Sequence, residues 1–373
     1  MLDRILLSRF RNHRETAVEG TAQFNLLVGE NGAGKTNVLE AISLLAPGRG
    51  LRRAQLADMP GQGGDGGFAV SAALQAPGGE PVRLGTGVSA ERPGRRLVQV
   101  NGAQGSAIGL AEWLSIGWLT PAMDRLFVEG AGARRRFLDR LVLAIAPAHA
   151  GNAARLETAL RERNRMLADE RAPDPRWLDA IEAQIAEAGA LVAAARGDLV
   201  ARLQETLATL PEAPFARPSL AYEPGGPVDA EALAAALREG RPRERAAQRT
   251  LTGPHRDELS VTMAGKGEGR GQPAADCSTG EQKAMLIAVT LAHSQLLEGG
   301  ATDSGGAQAR PRLLLLDEVA AHLDPVRREA LFDRLRAGSA QVWLTGTEIA
   351  PFEAIAAEAA IWEVSSGAVR RVS

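Results

Sequence analysis

The sequence predicts an α/β fold: a mixed sheet bearing a phosphate-binding loop, an antiparallel β subdomain, and an inserted helical lobe. Three observations predict it. Gly29-Glu30-Asn31-Gly32-Ala33-Gly34-Lys35-Thr36 stands between the apolar run 24–28 and the amphipathic segment 37–45, which is the order strand, glycine loop, helix. Short alternating stretches at 68–74, 82–88 and 95–100 are separated by Pro-Gly-Gly-Glu-Pro and Glu-Arg-Pro-Gly turns, the pattern of an antiparallel meander. Residues 124–212 carry Ala, Leu, Arg and Glu at helical spacing, broken at Pro173 and Pro175.

The elements follow in order. Residues 2–10 read as a first strand, 24–28 as a second, and the segment after the glycine loop as a helix ending near Pro47 and Gly48. After the meander, Asn101-Gly102 is a further turn signal. The helical part holds two long helices or helix pairs and is too short and interrupted for an extended coiled coil. A Pro-rich, mixed-charge stretch at 211–242 precedes a strand at 259–263, a Gly-rich loop at 265–272, a helix at 284–297 and a polar loop at 299–309. The run 313–316 is fully apolar, as a buried parallel strand requires. A helix at 325–335, a strand at 341–345, and closing edge strands at 360–364 and 368–372 complete the reading. The expected division is a head made of 1–123 and 246–373, with a helical lobe at 124–245.

Composition sets the outer limits. The 373 residues are 45% hydrophobic and 24% charged, the make-up of an ordinary folded protein with two or three lobes. No tract is long and apolar enough to span a bilayer, and the N-terminus lacks the pattern of a secretory signal, so a cytoplasmic protein without a membrane partner is expected. A single cysteine, Cys277, excludes an internal disulfide framework and a paired-cysteine zinc site, and reads as a small buried filler. Of 43 basic residues only three are lysines: Lys35, Lys266 and Lys283. Lys35 and Lys283 fall in motif segments, where a compact ammonium is wanted; Lys266, in a Gly-rich turn, reads as incidental.

The motifs supply the chemistry. Backbone amides of the glycine loop and the helix start suit a triphosphate, Lys35 the β- and γ-phosphates, and the Thr36 hydroxyl a Mg²⁺ ion. Asp317-Glu318 ends the apolar run 313–316, placing a metal-supporting carboxylate beside one that orients or deprotonates an attacking water. Ser278-Thr279-Gly280-Glu281-Gln282-Lys283 offers a hydroxyl, a flexible glycine and helix-start amides, a second phosphate-binding element, although the same string is an ordinary helix cap. Two such elements in one chain suggest a head-to-tail dimer sandwiching two ATP molecules.

With these residues in place, the chain resembles the ATP-binding-cassette family. Walker A matches Gly29 to Thr36, the Ser-x-Gly-x-Gln signature matches Ser278, Gly280 and Gln282, Walker B ends at Asp317-Glu318, and Leu323-Asp324 matches the D-loop. Phe10-Arg11-Asn12, the string from Gly32 through Asn37 to Ile42, Arg135-Arg136-Phe137-Leu138-Asp139 and above all Thr252-Gly253-Pro254-His255-Arg256-Asp257 are similar to the RecF family of bacterial recombination mediators. That family resembles SMC heads without their long coiled coil. The resemblance implies slow, DNA-stimulated ATP hydrolysis and ATP-dependent homodimerisation on DNA, in recombinational repair and replication restart, with partner proteins RecO and RecR placing RecA at single-strand gaps. It implies nucleotide binding by Gly29, Glu30, Asn31, Gly32, Ala33, Gly34, Lys35, Thr36 and Asn37, with Arg11 and Asn12 over the base or phosphates. Thr36 and Asp317 would bind Mg²⁺, Glu318, Lys35 and Asp317 would be catalytic, and Ser278, Gly280 and Gln282 would act on the partner copy's nucleotide.

The chain also departs from the pattern. Where transporter relatives place a γ-phosphate-sensing His, it reads Thr345-Gly346-Thr347-Glu348, and Thr347 is the best switch candidate. No Q-loop glutamine is evident, and the segment from Thr120 to Asp124 occupies that place. Glu281 sets a carboxylate beside Ser278, to be offset by helix amides and Lys283. For sequence-independent, salt-sensitive contact with duplex or gapped DNA, the candidates are Arg134, Arg135, Arg136, Arg241, Arg243 and Arg245. Arg135, Arg136 and Asp139 pairing within the lobe is the alternative, and Arg161, Arg163 and Arg165 read as a solvated helix face. Aromatic residues, at 4%, are too few for a single-strand stacking platform.

Overall fold

The computed structural model describes the chain except residues 62–63, 65, 76–79, 172, 212, 264–270, 300–309, 321–322 and 373. Lys266 and most of the loops expected at 265–272 and 299–309 lie outside the described residues. Two units divide the chain: residues 1–123 with 294–373, and residues 124–293.

In the first unit, β1 (Leu2–Phe10), β2 (His13–Glu19), β3 (Phe24–Val28) and α1 (Lys35–Ser43) precede β4 (Phe68–Leu74), β5 (Val82–Val88), β6 (Leu97–Val100), β7 (Ala103–Gln104) and β8 (Ser115–Leu119). An antiparallel sheet runs β2-β1-β4-β5-β6-β7, the expected meander joined to the N-terminal hairpin. β2 was not expected: its residues His-Arg-Glu-Thr-Ala-Val-Glu read as polar, yet His13, Thr16 and Val18 are buried. β8 was also not expected, being five residues with Gly117 inside.

The second unit holds α2 (Ala131–Ile145), α3 (His149–Ala168), α4 (Pro175–Thr209), β9 (Pro218–Glu223), α5 (Ala230–Ala246), β10 (Glu258–Met263), β11 (Gln272–Pro273) and the start of α6 (Thr279–Gly299). α4 begins where the prolines predict, with Pro175 in its first turn and the Asp174 carboxylate accepting from the Arg176 amide. The stretch at 211–242 is not irregular. It contains β9 and most of α5, which is capped by Asp229 and carries Pro242 inside. Because β9 pairs with β10 along six residues and α4 packs on β9, residues 246–293 group with the helices, so the chain returns to the first unit at Ser294 rather than at 246.

The first unit is completed by β12 (Arg312–Leu316), α7 (Pro325–Ala337), β13 (Gln341–Gly346), α8 (Glu353–Ala356), β14 (Ala359–Ser365) and β15 (Ala368–Arg371). Its second sheet runs β15-β14-β3-β13-β12-β8, parallel except for β15. Residues 360–364 were expected at the edge, but β14 lies inside the sheet between β15 and β3, and of the two closing strands β15 is the one at an edge. Every residue of β3 and β13 is buried, which is why they read as near-continuous apolar runs. Trp343 and Trp362, on the strands flanking β3, stack with ring centres 5.7 Å apart. α1 packs its Val38, Leu39 and Ile42 into the same core. Arg96 fixes the far end of this helix: its guanidinium donates to the carbonyls of Leu44, Ala46 and Gly48 and to Thr86 Oγ1. Burial lowers Arg96 to about 10.

Candidate functional site

The glycine loop joins β3 to α1, and its shape depends on backbone freedom. Gly32 and Gly34 have φ of 83° and 118°, values that side chains beyond glycine rarely adopt. A Cβ at Gly34 would stand 2.8 Å from Asn12 and from His13 Nε2, so the β1–β2 turn can approach the loop only because residue 34 is glycine. The first turn of α1 has neither a side-chain cap nor an acidic residue, leaving the positive end of the helix unneutralised.

Lys35 is buried, and its ammonium donates back to the carbonyls of Gly29 at 2.6 Å and Glu30 at 2.9 Å. Burial pushes Lys35 down from its ordinary value, while Glu318 and Asp317 pull it up. Thr36 Oγ1 donates to the Asp317 carboxylate, 2.9 and 3.1 Å from its two oxygens. β12 is not adjacent to β3; β13 lies between them. Thr345 on β13 bridges the gap, its hydroxyl donating to Asp317 Oδ1 at 2.9 Å and accepting from the Glu318 amide at 2.8 Å. Burial raises Asp317 above its ordinary value, with Glu318 adding to the rise and the two threonine hydroxyls opposing it. Glu318 has a φ of 54°, strained backbone directly after the strand.

Loop and strand ends thus bring Lys35, Thr36, Asp317 and Glu318 together. Thr345, the first residue of the segment from which Thr347 was chosen as the switch candidate, belongs to the group, whereas Thr347 is exposed two residues beyond it. Thr120 follows β8 at the same end of the sheet, and the preceding Leu119 carbonyl accepts from the Asp317 amide at 2.9 Å. Arg11 is spent on an internal partner: its guanidinium forks onto the fully buried Glu40 carboxylate at 2.8 and 2.9 Å, and Arg52 reaches the same carboxylate at 3.0 Å. Asn12 donates to the Ala33 carbonyl and accepts from Asn37. A cavity of about 1020 Å³ opens beside this turn, lined by Arg9, Arg11, Asn12, Arg14, Asn37 and Asp58 among others.

Asp324 caps α7, its carboxylate accepting from the Arg327 amide at 3.0 Å. In the second unit, Ser278 forms a capping box. Its amide and hydroxyl both donate to Glu281, at 3.0 and 2.9 Å, and Oγ accepts from the Glu281 amide. Gly280 faces open space, and Gln282 is buried, donating to the Cys277 carbonyl. Lys283 lies 3.6 Å from Asp124, so its ammonium is directed to that carboxylate. Cys277 is buried, as expected.

The arginine candidates separate by partner. Arg134 forks onto Glu258 at 2.6 and 2.7 Å, Arg135 donates to the Asp257 carbonyl, Arg241 joins Asp179 and Glu182, and Arg245 reaches the Asp169 and Glu170 carbonyls. Arg136 and Arg243 are exposed. Arg163 is not on a solvated face: it is fully buried between Glu182 and Glu244. Asp257, ending the Thr-Gly-Pro-His-Arg-Asp element, accepts from Arg196, Tyr222 and the Gly225 amide, and Arg196 also forks onto Asp139. The element is thereby anchored in the buried ion network of the second unit. His255 Nε2 lies 3.0 Å from the Thr250 carbonyl oxygen and donates to it.

Comparison with known proteins adds four findings. Residues 1–366 match the RecF/RecN/SMC N-terminal domain family. The chain is 46% identical to the DNA replication and repair protein RecF of Mesorhizobium japonicum, covering 99% of this chain and 97% of that one. It is 45% identical to RecF of Brucella suis biovar 1, covering 98% and 94%. Among solved structures it is similar to the recombination mediator protein RecF with ATP in the RecFOR pathway, at a TM-score of 0.85 and 22% identity, covering 100% of this chain and 97% of that one.

Proposed function

The chain belongs to the RecF/RecN/SMC N-terminal domain family, and from that premise we propose that it is an ATP-binding and ATP-hydrolysing protein of DNA replication and repair. The observation that carries this is the hydrogen bond from Thr36, at the glycine loop, to Asp317, 281 residues later at the end of β12. A hydroxyl and a carboxylate so joined are hard oxygen donors suited to Mg²⁺. Among the described residues no group of three or more His, Cys, Asp or Glu is arranged to hold a metal ion, and a Mg²⁺ bound with a nucleotide needs only one or two carboxylates besides the phosphates.

In this reading Thr36 and Asp317 would hold the metal, which would supply charge neutralisation to the nucleotide's phosphates. Lys35 exchanges the Gly29 and Glu30 carbonyls for phosphate oxygens. Glu318 orients the attacking water and accepts its proton, and Thr345 fixes both Asp317 and the Glu318 backbone. The cavity beside Arg11 and Asn12 receives the base and ribose. The finer proposal is weak, DNA-stimulated hydrolysis in an ATP-dependent homodimer, with Ser278, Gly280 and Gln282 closing on the nucleotide of the other copy and Asp324 and Thr347 beside it. On DNA it acts with RecO and RecR to help load RecA at single-strand gaps. For contact with the DNA backbone, Arg136 and Arg243 are the favoured side chains because they are exposed.

One comparison tests the reading: binding of wild type and Lys35→Met to duplex, gapped and single-stranded DNA, with and without ATP and Mg²⁺. Wild type is expected to bind duplex or gapped DNA more tightly with ATP, with an affinity that falls steeply as salt rises, while Lys35→Met shows no response to ATP. Identical DNA binding by the two proteins in all conditions would refute nucleotide coupling.

A further inference from the structure

His13, the first residue of β2, is fully buried behind the glycine loop. Its Nε2 lies 3.1 Å from the Gly34 carbonyl oxygen and its Nδ1 lies 3.0 Å from Thr16 Oγ1. Thr16 Oγ1 is in turn 3.1 Å from the carbonyl oxygen of Gly367, in the β14–β15 turn. The Gly367 amide closes the circuit by donating to the Ala33 carbonyl at 2.9 Å. The loop that would carry the phosphates is therefore tied from outside, through Gly34 and Ala33, to both the N-terminal and the C-terminal hairpin.

Hydrogen-bond direction decides the protonation state that this relay needs. A carbonyl oxygen only accepts, so Gly34 requires a proton on Nε2, and Gly367 takes the one hydroxyl proton of Thr16. Thr16 can then only accept from the ring, which requires a proton on Nδ1 as well. All three bonds form together only with the imidazolium. A neutral ring leaves two lone pairs facing each other at one step.

The surroundings oppose that charge before ligand arrives. Burial pushes His13 below its ordinary value, against the pull of the Gly34 and Gly367 carbonyls. Among the described residues, charged side chains on the neighbouring elements do not supply a counter-ion. Arg11 and Arg52 are bonded to Glu40, Lys35 to loop carbonyls, and Arg370 to Glu363, while Arg14 and Glu15 are exposed. A triphosphate on the loop brings negative charge to the other side of Gly34.

We propose that His13 is a positioning residue of the phosphate loop which takes up a proton when nucleotide phosphates bind, completing the relay from Gly34 through Thr16 to Gly367. This rests on the nucleotide reading above. Linkage fixes the sign: the ring binds its proton more tightly in the complex, so affinity is highest at low pH and falls as pH rises between the free and bound values, by up to about tenfold per unit.

The test is calorimetric titration of ADP with Mg²⁺ in buffers of different ionisation enthalpy, between about pH 6 and 8, on wild type, His13→Gln and Thr16→Val. Gln can still donate to Gly34 but does not titrate, and Val removes the acceptor that demands the second proton. Wild type is expected to take up more protons on binding, and to lose affinity more steeply with pH, than either variant; phosphate titration of ADP is common to all three. Equal proton uptake in wild type and variants overturns the proposal while leaving nucleotide binding intact. Absence of binding by wild type at every pH overturns the nucleotide reading and the proposal with it. If His13→Gln fails to fold, Thr16→Val and ring ¹⁵N spectra of ADP-bound wild type decide the matter: two protonated ring nitrogens support the relay, and a single neutral tautomer refutes it.

Discussion

Asp317 is held in two opposing ways. Burial and the neighbouring Glu318 favour its protonated form, and the hydroxyls of Thr36 and Thr345 favour its charge, with burial the largest of these and the balance raising the carboxyl. A carboxyl raised in the folded state contributes stability below the ordinary aspartate range, and that stability is lost as pH climbs through the raised value. Without nucleotide, Asp317→Asn is therefore expected to be more stable than wild type near neutral pH, on the order of 1 kcal/mol, the usual sign of a site built for a cation rather than for stability. The advantage should vanish in acid, where Asp317 is neutral. Thermal melts across pH without nucleotide check this; a less stable Asp317→Asn at neutral pH would mean that the threonine hydroxyls outweigh burial.

Among the elements, those buried on both faces were legible because their chemistry is uniform. β3, β12 and β13 read as apolar runs, and the glycine loop fixed α1 between them. The meander was legible from its turns. β2 was hidden because its two buried polar residues, His13 and Thr16, hydrogen-bond to the loop and to Gly367 instead of packing as apolar side chains. Thr345 was passed over in favour of Thr347 for a related reason: a threonine ending an apolar strand gives no spacing signal of its own, and its place depends on register beside Asp317. α5 was masked by Pro242, which the helix carries inside its last two turns. Arg163 misled most, since Glu162 beside it suggested a solvated face, whereas it bridges α3 to Glu182 on α4 and Glu244 on α5 with no solvent exposure. Replacing it with Met removes the cation, leaves the buried Glu244 without its ion partner and leaves Glu182 to Arg241 alone, so Arg163→Met should cost about 3–5 kcal/mol. Arg161→Ala, at an exposed side chain in an ion pair with Glu157 at 3.7 Å and 3.3 Å from the Thr158 hydroxyl, should cost less than about 1 kcal/mol. Denaturant melts of both variants test the contrast, and near-equal costs would show that the buried network contributes little.

For the whole molecule, the decisive question is whether two copies share a nucleotide. The glycine loop lies in the first unit and Ser278 in the second, and the Ser278 hydroxyl is spent on Glu281 within one chain. To reach a phosphate on another copy, Ser278 must give up that capping bond, a cost of order 1 kcal/mol that the new charge-assisted bond can exceed. Dimerisation should then depend on an intact triphosphate, and hydrolysis should undo it. Glu318→Gln keeps the size of the side chain and its hydrogen-bonding oxygen but removes the proton acceptor, so it should bind ATP normally and hydrolyse it poorly. With ATP and Mg²⁺ this variant is expected to form long-lived dimers, seen as a doubled mass by light scattering, and to stay on DNA, while wild type forms dimers that decay as ATP is consumed. ADP should support neither. Should Glu318→Gln remain monomeric at every protein and ATP concentration, with and without DNA, the shared site is wrong and Ser278 to Gln282 is only a helix cap. Should wild type and Glu318→Gln form equally persistent dimers, nucleotide acts as an adhesive between copies and hydrolysis does not time their release.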